Sequence, residues 1–289
     1  MKRFGLLLSA FFFVSCVTQP APSPDDRAGA EAIAAPVRKE RIEEYKTPVV
    51  IKETVAFADG VVEKVISYAF DGGFRRLESS VTRKPSAVDP IERVAYGYDS
   101  GRLASKTAFG PDGALTSKSE YAYGAAGELV KETILDGKGV VQTVSEWSWD
   151  NGRKTSWLVL SAEGLILART DYYYEGEALA SAKLLDGAGN VKGRIEYVYA
   201  GAAMPSQVKY FDSTGAQDGR IDYAIEDGRI VKESVYRADG RLERRLSYEY
   251  APDGALVKRT LADSTGKARE VIVYENAYRT DTRTVVYYE

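Results

Sequence analysis

The sequence has no histidine, one cysteine and two methionines, and this scarcity excludes several kinds of functional site. Without histidine there is no Ser-His-Asp triad, no Cys-His dyad and no zinc site with histidine ligands. The single cysteine, Cys16, excludes an intramolecular disulfide. A formal net charge of -3 provides no basic surface for nucleic acid. We therefore expect a non-enzymatic protein with no metal, no cofactor and no nucleic-acid partner.

Glycine is abundant, with 26 residues, but it does not occur in phosphate-binding patterns. Neither the Walker A motif nor the dinucleotide-binding motif is present. Glycine-rich stretches such as residues 137–139 stand where a hairpin turn is expected. Glycine therefore predicts turns here and not a nucleotide site.

The main feature of the sequence is a repeat of about 25 residues, marked in each unit by an aromatic anchor residue. The anchors are Tyr68, Tyr96, Tyr121, Trp147, Tyr172, Tyr197, Tyr223, Tyr248 and Tyr274. After a first gap of 28, their spacings are 25 or 26 residues. A glycine stands eight residues before almost every anchor. Such regularity predicts a repeat architecture.

Within each repeat, apolar and polar residues alternate as they do in a β-strand with one wet face. In residues 191–199, Ile195 and Tyr197 share one face, while Arg194 and Glu196 lie on the other. Asp-Gly and Asn-Gly pairs separate these runs and favour tight hairpin turns. Each repeat is therefore predicted to be two strands and two turns.

We predict an all-β fold, an antiparallel meander of 25-residue two-strand repeats that form one extended, curved or coiled sheet with roughly 17 to 19 strands. The aromatic face lines the core if the sheet curls, or forms an exposed track if it does not. A transmembrane barrel is the alternative architecture. It needs an apolar outward band, whereas charged residues such as Arg169 and Arg194 occupy the outward positions. Residues 84–90, bounded by prolines, predict a loop.

The repeats resemble those of a known family. The sequence YGYDSGRL at 96–103, followed by PDG at 111–113 and YAY at 121–123, is similar to the YD repeat of bacterial Rhs and wall-associated proteins. The likeness recurs at 248–256 and covers roughly residues 60–274. It implies an extended, coiling β-sheet that serves as a shell or stalk and has no catalysis of its own.

The first residues have the form of a targeting segment. Lys2 and Arg3 precede an apolar run, residues 4–14, which is too short to span a membrane comfortably. The sequence FVSC that ends at Cys16 resembles the lipobox of bacterial lipoproteins. The resemblance implies that a signal peptide, residues 1–15, is removed and that Cys16 carries acyl chains such as palmitate.

The predicted domain organisation follows from this segment. Residues 16–46 are the lipidated cysteine and a flexible tether rich in proline and alanine, and residues 47–289 are the β-repeat domain. The protein is then expected in the bacterial cell envelope, anchored to a membrane and facing the periplasm or the cell exterior. Its partners are the lipid bilayer, through Cys16, and an envelope protein or cell-wall glycan.

Carboxylates recur once per repeat, directly before the anchors, on the polar face. Basic residues two positions earlier match them, as Arg194 matches Glu196. We expect this row to form cross-strand charge pairs on a solvated face. A glycosidase would need one singular carboxylate pair and calcium one cluster of oxygen ligands, so neither is favoured.

Three functions remain open at this point. The first is a membrane-anchored scaffold or binding module, the second is carbohydrate binding or processing through the aromatic face, and the third is an immunity-type partner of a secreted toxin. The candidate binding residues are Trp147, Trp149, Trp157, Tyr172, Tyr174, Tyr197 and Tyr199. Tryptophan is favoured at sugar-stacking surfaces and in cores alike.

Overall fold

The computed structural model describes residues 38–201 and 203–288, and all regular structure in these residues is β-strand. The 18 strands are β1 (Arg38–Phe57), β2 (Val62–Phe70), β3 (Leu77–Arg83), β4 (Glu92–Asp99), β5 (Arg102–Phe109), β6 (Leu115–Tyr123), β7 (Leu129–Asp136), β8 (Val141–Asp150), β9 (Arg153–Ser161), β10 (Ile166–Glu175), β11 (Ala178–Asp186), β12 (Val191–Val198), β13 (Gln207–Asp212), β14 (Gln217–Glu226), β15 (Arg229–Arg237), β16 (Leu242–Tyr250), β17 (Leu256–Asp263) and β18 (Ala268–Tyr288).

Each strand pairs with the next along the chain, and β1 pairs with both β2 and β18. The sheet therefore closes into an 18-stranded antiparallel β-barrel, and the prediction of an extended sheet is wrong. Thr47 Oγ1 on β1 donates to Asp281 Oδ2 on β18 at 2.7 Å, and Lys52 pairs with Glu275 at 2.7 Å. Closure pairs the backbone groups that two free edges would leave open to other chains.

The curvature that closes the ring comes from irregularities in strand pairing. The register shifts in most adjacent pairs, for example between Ala122 and Tyr123 where β6 meets β7, and between Leu184 and Leu185 where β11 meets β12. Such β-bulges bend a strand and increase its twist. A barrel of about 16 to 18 strands is wide enough to enclose an aqueous channel, and we call the enclosed space the lumen.

Two kinds of turn join most neighbouring strands, and the three-residue kind occurs at both ends of the barrel. At one end, Asp136 N–H donates to Val140 O at 2.9 Å and Gly139 N–H donates to Asp136 O at 3.0 Å, with Gly139 at φ 78°. This is a three-residue loop with a left-handed glycine. At the other end, Asn151 and Gly152 have φ 48° and 75°, the pattern of a type I′ turn. The predicted hairpin turns are confirmed.

The anchor residues lie on the inner face of the barrel. Burial raises the pKa of Tyr210 on β13, and two further charges act on its hydroxyl, Glu233 on β15 and Arg244 on β16. Strands three apart are about 14 Å apart along a sheet, so these side chains converge on its concave side. The buried cluster of Ala182, Ile195 and Val208 lies on the same face, and the anchors Tyr172, Tyr197 and Tyr223 pack against it together with Tyr210. The aromatic face therefore lines the lumen.

The opposite face points outward and carries the charged rows. Arg169 pairs with Asp171 at 2.6 Å, and Arg194 pairs with Glu196 at 2.7 Å. These two pairs join residues of the same strand, whereas the prediction was of pairs between strands. Lys131 on β7 and Glu146 on β8, which lie 3.4 Å apart, do pair across strands. Each is exposed enough to contribute no more than about 1 kcal/mol to the stability of the fold.

The chain divides into two compact units. One is Glu43–Arg283, which contains the barrel described above. The described residues of the other are 38–42 and 284–288, where Arg38 pairs with Glu40 at 2.6 Å.

Of the two predicted N-terminal segments, the signal peptide lies outside the described residues and the tether meets them in part. The predicted signal peptide, residues 1–15, and residues 16–37 of the predicted tether lie outside them. Residues 38–46, also assigned to the tether, belong to β1. Their charges have partners, because Arg283 on β18 bonds Glu43 on β1 at 2.9 Å. In residues 38–201 and 203–288, no helix is long and apolar enough to cross a membrane.

Candidate functional site

The seven candidate aromatic residues come together on one continuous patch of the inner face. Trp147 and Trp149 lie on β8, and Trp157 lies opposite Trp147 on β9. Trp147 and Trp157 stack, with ring centroids 6.5 Å apart and planes 9° apart. The tyrosines continue the patch on β10, with Tyr172 and Tyr174, and at β12, with Tyr197 and, directly after the strand, Tyr199. The repeat spacing therefore places these residues side by side in the lumen.

A hydrogen bond to the backbone fixes the second residue of most aromatic pairs. Tyr123 Oη donates to Leu103 O at 2.9 Å, and Trp149 Nε1 donates to Leu129 O at 2.8 Å. The acceptor residues of this series are Leu77, Leu103, Leu129, Lys154, Leu179, Ile230 and Leu256. Among these seven, Lys154 is the single charged residue.

Lys154 is the functional candidate that sequence reasoning missed. Its Nζ lies 5.8 Å from the ring centroid of Trp147, 5.5 Å from that of Trp149 and 5.8 Å from that of Tyr172. Burial lowers the pKa of its amine, yet the side chain stays partly exposed. The signal was present in the sequence, because aligned repeats place this lysine in a column of leucines. The arrangement is an ammonium group among three aromatic faces.

The four candidate tyrosines differ in what their hydroxyls do. Tyr174 Oη donates to Lys154 O at 3.0 Å, and Tyr199 Oη donates to Leu179 O at 3.1 Å, so both are engaged by the barrel wall. The hydroxyls of Tyr172 and Tyr197 have no hydrogen-bond partner within the described part of the chain. Burial raises the pKa of Tyr172 to about 12 and that of Tyr197 further. Both hydroxyls therefore remain protonated at neutral pH and can donate to a ligand.

Trp157 belongs to the wall of the site more than to its surface. Its indole Nε1 is buried and has no hydrogen-bond partner among the described residues. An unpaired buried donor costs about 1 to 3 kcal/mol of stability, which the stack on Trp147 offsets in part. Trp157 thus supports the ring of Trp147.

A second concavity, of about 380 Å³, lies on the outer face near the turn between β13 and β14. Its lining includes Tyr173, Lys183, Arg194 and Phe211. The guanidinium of Arg194 lies 4.5 Å from the ring centroid of Phe211 and pairs with Glu196. Its charge is therefore already neutralised by protein groups and is not free to bind a ligand in this concavity. In the same described residues, no three His, Cys, Asp or Glu side chains come together as a metal site.

Comparison with known proteins gives only distant structural likeness. No family model and no curated protein matches the chain. A porin-like protein from Bacteroides uniformis is similar at a TM-score of 0.43 and 13% identity, over 79% of this chain and 98% of that one. A porin-like protein from Bacteroides vulgatus gives 0.27 and 11%, over 78% and 97%. The Tc holotoxin pore of Photorhabdus luminescens gives 0.22 and 12%, over 74% and 15%. These likenesses carry no information about ligand or activity.

Proposed function

We propose that the protein is a non-enzymatic lipoprotein of a bacterial cell envelope, and that its barrel acts as a scaffold and binding module. The observation that carries the proposal is the difference in composition between the outer and inner faces of the barrel. The outer face bears ion pairs such as Arg169 with Asp171, which are stable in water and costly in hydrocarbon. The inner face gathers the aromatic rings, and charged residues such as Glu233 and Arg259 lie opposite two of the anchors there. Such a barrel stands in an aqueous compartment and presents its binding groups to the lumen.

Attachment to the membrane then belongs to Cys16 and not to the strands. The cysteine follows an apolar run and a small residue, as in bacterial lipoproteins. Each buried CH₂ of an acyl chain adds about 0.8 kcal/mol to membrane binding, so more than one chain is needed for a stable anchor. The barrel is then held at the membrane whatever it binds.

Carbohydrate binding is the second function that a specific observation favours. Trp147 and Trp149 present rings beside the free hydroxyls of Tyr172 and Tyr197 on one inner patch. Aromatic rings stack on the apolar face of a sugar, and phenol hydroxyls bond its oxygens. Regular carboxylate pairs on the outer face supply no catalytic residues to that patch.

The lipid anchor is tested by phase separation in detergent with metabolic labelling by palmitate. The natural chain should carry the label and enter the detergent phase, because acyl chains on Cys16 hold it there. The Cys16→Ala variant should carry no label and enter the aqueous phase. Ser15→Ala, which keeps a small residue before the cysteine, should behave as the natural chain. An unlabelled natural chain with a free thiol would reject the proposed anchor.

A further inference from the structure

We infer that the inner patch around Lys154 binds an acidic saccharide, a sugar unit that carries a carboxylate. The inference rests on the proposed binding function and names its ligand class. It begins with a break in the repeat. The residue that accepts the wall hydrogen bond is leucine or isoleucine at six positions and lysine at Lys154. Leucine would satisfy the backbone bond equally well, so the wall does not require the charge.

The second feature is the ammonium group of Lys154 and the partners that the described residues offer it. In the part of the chain that the structure describes, no carboxylate pairs with it, and burial alone lowers the pKa of its amine. The rings of Trp147, Trp149 and Tyr172 stabilise the positive charge but accept no conventional hydrogen bond. Because the side chain is partly exposed, an anion in the lumen can reach it.

The groups around the ammonium select the kind of anion. Trp147 and Trp149 offer ring faces on which the apolar face of a sugar can stack. Tyr172 and Tyr197 offer protonated hydroxyls for sugar oxygens. A carboxylate on the same sugar would complete a charge-assisted hydrogen bond to Lys154 Nζ. A neutral sugar would leave the ammonium unpaired, and sites of this kind discriminate against ligands that lack the matching group.

The other reading of Lys154 is that its contacts with the three rings are structural only. The variant Lys154→Leu, which copies the residue found in the other repeats, distinguishes the two readings. The substitution restores the residue of the other repeats, keeps the backbone carbonyl that Tyr174 bonds, and removes the charge. We therefore expect the folded barrel to be retained, so that a loss of binding reports on the ammonium.

The test uses the full chain in detergent and isothermal titration calorimetry. The probes are an oligogalacturonate, its fully methyl-esterified form, which is the same sugar without charge, and polyaspartate, which is an anion without sugar. The natural chain should bind the acid at least about tenfold more tightly than the ester or polyaspartate, a difference of about 1.4 kcal/mol. Lys154→Leu should bring the affinity for the acid down to that for the ester, while Lys154→Arg should retain the preference.

The matched control is Lys131→Leu, which removes an outward lysine that pairs with Glu146 at 3.4 Å. It should leave all three affinities unchanged. Equal binding of acid and ester, unaffected by Lys154→Leu, would overturn the inference while leaving carbohydrate binding in place. If polyaspartate bound as tightly as the acidic sugar, the site would be one for anions in general, and the inference would also be overturned. If neither sugar binds a chain that melts cooperatively, the inference and the carbohydrate function both fail, whereas the lipid anchor is decided by its own test.

Discussion

At the scale of the residue, the repeated motif is mostly explained by the wall of the barrel. In most repeats the second aromatic of the pair donates a hydrogen bond to the backbone of the preceding repeat, and the arginine after a type I′ turn covers the ring of the next one. Arg102 lies 5.7 Å from the ring centroid of Tyr123, and Arg153 lies 5.7 Å from that of Tyr174. The Gly-Arg dipeptide of the YD-like motif therefore has a structural role. Functional residues are to be sought where the repeat departs from its pattern.

Trp157 provides a stability test at this scale. Trp157→Ala should cost about 3 kcal/mol or more in the free energy of unfolding, because it removes the ring that stacks on Trp147. Trp157→Phe keeps an aromatic ring and removes the unpaired buried N–H, so it should cost less than about 1.5 kcal/mol. Urea unfolding measures both. A loss below about 1 kcal/mol for the alanine variant would show that the ring is not packed.

At the scale of the element, an aspartate at the start of several turns holds the loop through its carboxylate. Asp263 accepts hydrogen bonds from the Thr265 hydroxyl at 2.6 Å, from Thr265 N–H at 2.9 Å and from Lys267 N–H at 3.1 Å. Asp136 and Asp186 accept the corresponding backbone bonds in their own turns. The glycines that recur eight residues before the anchors, Gly139, Gly189 and Gly266, mark these turns in the sequence, and the structure adds the side-chain bonds.

These bonds make stability depend on pH. The Thr265 hydroxyl, backbone N–H groups and Arg269 lower the pKa of Asp263 from 3.8 to about 2. Because the folded-state pKa is below the unfolded one, the contribution is present above about pH 4 and is lost as pH falls toward about 2. Thermal melts of the natural chain and Asp263→Asn should differ at pH 7 and converge over that interval. A difference that stays constant down to pH 2 would contradict this role.

Deletions test the two-strand repeat as the unit of the barrel. Removing residues 139–163 takes out β8 and β9 and joins two equivalent turns, which leaves an even number of antiparallel strands that can still close. Removing residues 139–150 takes out β8 alone, so β1 and β18 can no longer meet antiparallel. The first variant should keep cooperative urea unfolding and β-rich circular dichroism, and the second should lose them. Equal damage by the two deletions would reject the repeat register.

The first deletion also removes Lys154 and two of its ring neighbours, Trp147 and Trp149, and a second whole-repeat deletion supplies its control. Removing residues 189–214 takes out β12 and β13 and leaves β8 to β10 intact. The shortened barrel that keeps Lys154 should still prefer the acidic saccharide, although more weakly because Tyr197 is lost, and the one without Lys154 should not.

At the scale of the whole molecule, the sequence predicts the strands well and their closure poorly. Spacing and alternation indicate 17 to 19 strands, and residues 38–201 and 203–288 contain 18. Closure depends on the sum of many bulges and on the pairing of β1 with β18, which no local pattern encodes. Residues 38–46 were assigned to a tether because they lack an apolar stripe, yet their partners lie about 240 positions away, as Glu43 and Arg283 do.

The candidate site was also predictable only in part, because the sequence reveals repeat spacing but not local backbone geometry. Aromatic residues that break or mark the repeat could be selected from the sequence, and their side-by-side placement follows from repeat spacing. Lys154 was missed because a lysine after Asn-Gly resembles an exposed turn residue. The bulge that pairs Trp149 with Lys154 turns it toward the rings, and this local geometry is visible only in the folded barrel.

Closure of the barrel is the central claim, and an engineered disulfide between β1 and β18 tests it most directly. On a Cys16→Ser background, Thr47→Cys and Asp281→Cys place two thiols where side chains now meet at 2.7 Å. Thr47→Cys with Ser156→Cys, on β9, is the control pair that should not join. After mild oxidation, a closed barrel predicts a disulfide within the monomer for the first pair, seen as a faster band on a non-reducing gel. Free thiols, or a disulfide only between molecules, would mean that the two edges do not meet.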